Sequence, residues 1–114
     1  MKLNINKIEE ICKKYGYYIK NETGEYVDWS YPGINANDYA LRSDIFGGGG
    51  IYCAVDVRDT TEGFNAGWAT SRIGFFNEER MYSYKRIEER LKFLKKRIIE
   101  LQRKMKLENI EKDF

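Results

Sequence analysis

Between Tyr84 and Met105 the apolar residues Tyr84, Ile87, Leu91, Leu94, Ile98, Leu101 and Met105 follow one another at intervals of 3, 4, 3, 4, 3 and 4. An α-helix brings residues so spaced onto one side, and the alternation of 3 and 4 keeps that side narrow over three heptads. No glycine or proline follows Gly74, so nothing breaks a helix predicted from an N-cap at Asn77 to about Leu107. About thirty residues at a rise of 1.5 Å make a rod of about 45 Å, whereas the preceding eighty or so should fold to a body about 30 Å across. The rod is therefore expected to outrun its own domain. Its first turns, Tyr84 to Leu91, should pack on the body, while the seam from Leu94 onward protrudes and takes a partner, because an unsupported amphipathic helix is only marginally stable in water.

The chain ahead of that rod has a different texture. Asn4 reads as an N-cap with a Leu3/Ile8 staple across it, and Ile5, Ile8, Ile11, Cys12 and Tyr15 form one apolar stripe that ends at Gly16. This first helix should cover a sheet. From Tyr17 the residues become aromatic and β-branched, punctuated by turn formers, as in antiparallel strands. Tyr17 to Lys20 and Glu25 to Trp29 flank a turn at residues 21–24, and Ser30 to Asn37 reads as a loop turning at Pro32-Gly33. Tyr39, Leu41, Ser43 and Ile45 alternate against Ala40, Arg42, Asp44 and Phe46, and Ile51, Cys53, Val55 and Val57 against Tyr52, Ala54, Asp56 and Arg58, as in half-buried strands, with Gly47 to Gly50 between them. After a turn over residues 59–63, a last strand is predicted from roughly Phe64 to Ile73. The expectation is one α+β domain: an N-terminal helix, a four- to five-stranded antiparallel sheet and a long heptad-patterned C-terminal helix, with residues 1–77 as the sheet body and 78–114 as the helix.

Composition narrows the chemistry. Hydrophobic residues at 42% and charged residues at 33% suit a folded chain rather than a disordered one. The N-terminal residues hold no long uncharged apolar run, so neither a signal peptide nor a membrane span is expected and the chain reads as cytosolic. There is no histidine, the commonest general acid/base and metal ligand near neutral pH, which makes several enzyme classes poor fits. Cys12 and Cys53 lack the close spacing of a redox or zinc motif and read as two buried reduced thiols. Gly47 to Gly50 lacks the Lys-Ser/Thr that completes a phosphate loop, and Asp44, Asp56, Asp59 and Glu62 show no metal-ligand spacing. No catalytic residue, cofactor or metal is expected, and the chain reads as a binding protein rather than an enzyme.

Charge and aromatic residues point to partners. Residues 1–77 carry 8 Lys/Arg against 10 Asp/Glu, a balance of −2, and residues 78–114 carry 12 against 8, a balance of +4. The basic helix can meet phosphates, which makes nucleic acid one partner to consider. The flanks of the seam, Arg90, Lys95, Arg97 and Lys104, offer little charge pairing to a second copy, so acidic flanks on another protein suit them better than a homodimer. Aromatic residues crowd the sheet half, and Trp29 and Tyr31 beside Pro32-Gly33 are the interface candidates there. The partner-binding set is thus Trp29, Tyr31, Leu94, Lys95, Arg97, Ile98, Leu101, Arg103, Lys104 and Met105. A small anionic ligand such as a nucleotide, held by Arg42, Arg58 or Arg72 beside aromatic rings, is a further alternative.

Short, histidine-free and rich in Lys, Ile, Asn, Glu and Tyr, with a first helix ending in Tyr15-Gly16-Tyr17, the whole chain resembles small anti-defence proteins of phages and mobile elements of low-GC bacteria, anti-CRISPR proteins among them. The resemblance implies an inhibitor that occludes a surface of a larger nucleoprotein, such as a CRISPR-Cas effector. The alternatives are a nucleic-acid-binding accessory or regulatory protein that uses the basic helix, and a dimeric adaptor joined through the seam. On the partnered-rod expectation, Leu94→Asp with Leu101→Asp abolishes association and leaves the sheet folded.

Overall fold

The first helix forms where its cap and stripe place it. In α1 (Ile5–Lys14) the Asn4 side chain accepts the Asn6 N–H at 2.8 Å, Ile8, Ile11 and Cys12 are buried, and Gly16 turns the chain away at a φ of 87°, a conformation that glycine adopts without a Cβ clash. The structure is a computed structural model that describes residues 3–44, 50–60 and 71–112, with side chains in the last helix to Glu108. Five strands follow α1: β1 (Tyr18–Glu22), β2 (Tyr26–Ser30), β3 (Leu41–Asp44), β4 (Ile51–Asp59) and β5 (Ile73–Met81). They pair in chain order as one antiparallel meander, and α2 (Tyr84–Lys112) closes the fold. The class is α+β, as the sequence pattern predicts. Gly47 to Gly49 and Phe64 to Thr70 lie outside the described residues.

The end of the sheet departs from the prediction. Strand β5 starts where the predicted strand stopped and runs through Asn77 to Met81, so a division between residues 77 and 78 cuts across a strand. Asn77 is not a helix cap: it lies inside β5 with a φ of 59°. The cap is Ser83, whose Oγ accepts the Arg86 N–H at 3.2 Å and whose carbonyl accepts the Ile87 N–H at 3.1 Å. Glu78, Glu79 and Arg80 prefer helix in isolation, but pairing with Ala54, Cys53 and Tyr52 of β4 overrides that preference. Charged side chains on this outermost strand also deter edge-to-edge association.

The second correction concerns the seam. Ile87, Leu91, Leu94 and Ile98 are all 0% exposed, packed with Ile8 and Cys12 of α1 and with Leu41, Cys53 and Val57 of the sheet. Tyr84, Leu101 and Met105 are partly buried against the same core. The rod does not leave its domain. The Gln102 amide lies 3.0 Å from where a Cβ on Gly33 would sit, and Arg72 beside β5 still donates to Glu108 at 3.2 Å. Contacts between α2 and the body thus run from the Tyr84–Asn4 bond at its start to the Arg72–Glu108 pair near its end, with β4 and β5, nine residues each, extending about 30 Å beneath it. Burying four seam side chains stabilises the fold by roughly 6–12 kcal/mol, comparable to the roughly 5–15 kcal/mol net stability of a typical domain. Helix and sheet therefore fold as one body.

Polar bonds fix the helix on the sheet. Arg90 donates to the Ala54 carbonyl at 2.9 Å and pairs with Glu79, while Arg97 reaches Asp56 at 3.3 Å and Glu100 at 3.0 Å. The acidic flanks that these seam positions call for are thus found on the protein's own β4 and β5. At the near end the Tyr84 hydroxyl accepts the Asn4 N–H at 2.6 Å, and the buried Tyr17 hydroxyl donates to the Leu91 carbonyl at 2.6 Å.

Candidate functional site

With the seam buried, one face that α2 offers to solvent is the stripe beside it. Lys92, Lys96, Ile99 and Arg103 stand at i, i+4, i+7 and i+11, on one side of the helix. The end of α1 lies against this stripe. Tyr15 follows the last turn of α1, and its hydroxyl donates to Glu88 of α2, which also accepts from Lys14 Nζ at 3.1 Å. The Tyr15 hydroxyl and the Lys14 ammonium hold the Glu88 carboxyl below the usual carboxylate range, and Glu88 in turn raises Lys14. The Tyr15 ring is thereby fixed beside α2.

Between that ring and the helix lies a groove of about 340 Å³, lined by Tyr15, Lys92, Lys95, Lys96, Ile99, Glu100 and Arg103. Four cations face one carboxylate there, and Glu100 is already engaged by Arg97. Lys92, Lys95, Lys96 and Arg103 make no ion pair among the described residues. Lys14 and Lys92 hold their ammonium groups 5.4 and 5.7 Å from the Tyr15 ring centre. A concave surface with several like charges focuses the field on one place and attracts anions. Its floor, Tyr15 and Ile99, is apolar.

The predicted partner-binding residues are divided by the fold. Trp29, at 3% exposure, and Leu94 and Ile98, at 0%, are core residues that no partner reaches without unfolding the protein. Tyr31 is half-buried, edge-on to Tyr17 with ring centres 5.2 Å apart. Leu101 and Met105 lean on the core, and Arg97 is committed to Asp56 and Glu100. Lys95 and Arg103 do line the groove, and Lys104 is exposed on the neighbouring face. Tyr15, Lys92, Lys96 and Ile99 are the additions. The spacing of the last three is visible in the sequence, but the approach of Tyr15 is a tertiary contact.

Other candidate constellations are occupied. Arg42 lies between the Tyr26 and Tyr39 rings, 4.2 and 4.4 Å from their centres, and donates to both oxygens of buried Asp28 at 2.7 and 2.9 Å. Arg72 is held by Asp59 and Glu108, leaving Arg58, exposed over Phe76 at 5.1 Å, as the freer of the three arginines named for a nucleotide. The carboxylates Asp56 and Asp59 pair with arginines, and Glu62 lies outside the described residues. Cys12 and Cys53 are buried free thiols. Among the described residues no helix is long and apolar enough to cross a membrane. No protein-family model, curated protein or solved structure matches the chain.

Proposed function

We propose that this chain is a non-enzymatic, cytoplasmic binding protein that holds nucleic acid through the basic groove between Tyr15 and α2. The observation that carries this reading is the set of four cations, Lys92, Lys95, Lys96 and Arg103, without ion-pair partners among the described residues, around one groove whose single carboxylate is engaged by Arg97. Surface lysines are usually just solvated, and an isolated one carries no such meaning. Four converging on one concavity at the end of a second helix repel one another, and a chain of phosphates relieves that repulsion.

Binding of this kind is sequence-independent and falls with salt as counterions are released. If about four phosphates are engaged, raising salt from about 50 to 200 mM weakens binding to a single strand by about 50-fold and to a duplex by about 150-fold. Fluorescence anisotropy with a labelled oligonucleotide reads this directly. Lys92→Glu with Lys96→Glu should lower affinity by at least about 10-fold and flatten the salt dependence. Both positions are exposed, so the fold should survive. Salt-insensitive binding, or none to any nucleic acid, removes the reading and turns attention to an acidic protein as the partner. An anti-CRISPR-like inhibitor working through this surface would compete for the nucleic acid that a nucleoprotein effector carries.

A further inference from the structure

The groove contains more than charge, and its apolar part narrows the kind of nucleic acid it fits. Building on the reading above, we infer that the occupant is a single strand, with one base seated against Tyr15 and Ile99 and its neighbouring phosphates on Lys92, Lys96 and Arg103. A plain phosphate site needs only cations and N–H donors. Here the apolar floor joins an aromatic ring and a β-branched side chain, in a groove of about 340 Å³, within the size range of sites for small organic groups.

A duplex cannot use that floor. Its bases are stacked inside, and bringing one out requires breaking stacking and pairing. An unpaired strand presents its bases freely, and base-on-aromatic stacking tolerates any sequence. Tyr15 is prepared for this role. Its backbone is set by the end of α1 and its hydroxyl is bound to Glu88, so little ring freedom is lost on binding. The Lys92 ammonium beside the ring sits on a flexible stem and can transfer to a phosphate as a base arrives, while Lys14 stays paired with Glu88. From Lys92 to Arg103 the cations span about 16 Å of helix axis, room for the phosphates of a few nucleotides.

The test compares a ten-residue oligothymidylate, a ten-base-pair duplex and thymidine monophosphate by anisotropy and competition. The expected result is single-strand affinity at least about 10-fold above duplex affinity, with the monophosphate far weaker. Tyr15→Leu should lower single-strand affinity about 10-fold while leaving duplex affinity and the salt slope unchanged, and Tyr15→Phe should retain most of the binding. Because Tyr15 also touches the core, Ile99→Gln serves as a second variant on the groove floor, with the same expected selective loss. Equal affinities for strand and duplex, or equal losses on both in Tyr15→Leu and Ile99→Gln, overturn the single-strand inference while salt-dependent binding keeps the broader reading. Monophosphate binding as tight as that of the oligonucleotide overturns it in favour of a small-molecule pocket. Absence of binding to all three removes both.

Discussion

At the scale of single residues, the fold holds acidic protons in places where losing them is costly. Burial pushes the Cys53 thiol up to about 12 and the Cys12 thiol higher still. Burial also raises the Tyr17 phenol, and Tyr39, desolvated and bonded to Glu78, rises to about 12. Groups whose folded pKa is raised contribute stability that is fully present below their unfolded pKa and is lost as pH climbs towards the folded one. For the thiols the loss begins near pH 9 and for the phenols near pH 10. Each fully buried group then removes about 1.4 kcal/mol per pH unit. Urea midpoints should be flat from pH 7 to 8.5 and fall steeply above pH 9; constant stability to pH 11 would contradict the burial of these groups. That the two cysteines are buried and reduced was legible from their spacing. That Arg90 and Arg97 turn inward was not, because a basic residue flanking a seam reads the same whether its carboxylate lies on a partner or on the chain itself.

At the scale of elements, α2 shows how far periodicity reaches. It predicted the helix and its apolar side, and the helix begins at Tyr84, where the 3–4 pattern itself begins. Asn77 has the side chain of a helix cap, but the strand-forming pair Phe75-Phe76 just before it keeps the chain extended. In the structure those residues are part of β5 and pair with Val57 and Asp56. The seam has a graded environment, and substitutions should follow it. Leu94 is fully buried, so Leu94→Ala should cost about 3–5 kcal/mol. At half-buried Leu101 the same change should cost about 1 kcal/mol, because less apolar area returns to water. Chemical denaturation of both variants measures the difference. Leu94→Asp with Leu101→Asp should unfold the whole protein, sheet included, since an unpaired carboxylate at position 94 has no water to reach. A folded sheet in that variant, seen by circular dichroism, would mean that α2 is a separable rod after all.

At the scale of the whole molecule, α2 buries its apolar seam against the body and divides its cations between the two flanks of that seam. Arg90 and Arg97 neutralise carboxylates of β4 and β5, while Lys92, Lys96 and Arg103 remain in solvent next to α1. A coiled-coil dimer through the seam would require first removing α2 from its own sheet, at a cost close to the entire stability of the fold. Light scattering at low and high salt should therefore give the mass of one chain, 13.5 kDa; a dimer at both would mean that some other face associates. The amino-acid sequence by itself determined the kinds of element, the side of each helix that is buried and the separation of charge between the two halves. These follow from local propensity and periodicity, which act over a few residues. Only the tertiary structure decided what covers the seam, where β5 ends and α2 begins, and which ring meets the basic stripe. The physical reason is that an apolar face specifies that it must leave water but not against what, and the choice of cover depends on how far β4 and β5 extend beneath the helix. Tyr15 and Lys92, seventy-seven residues apart, share a groove only because α1 and α2 lie side by side.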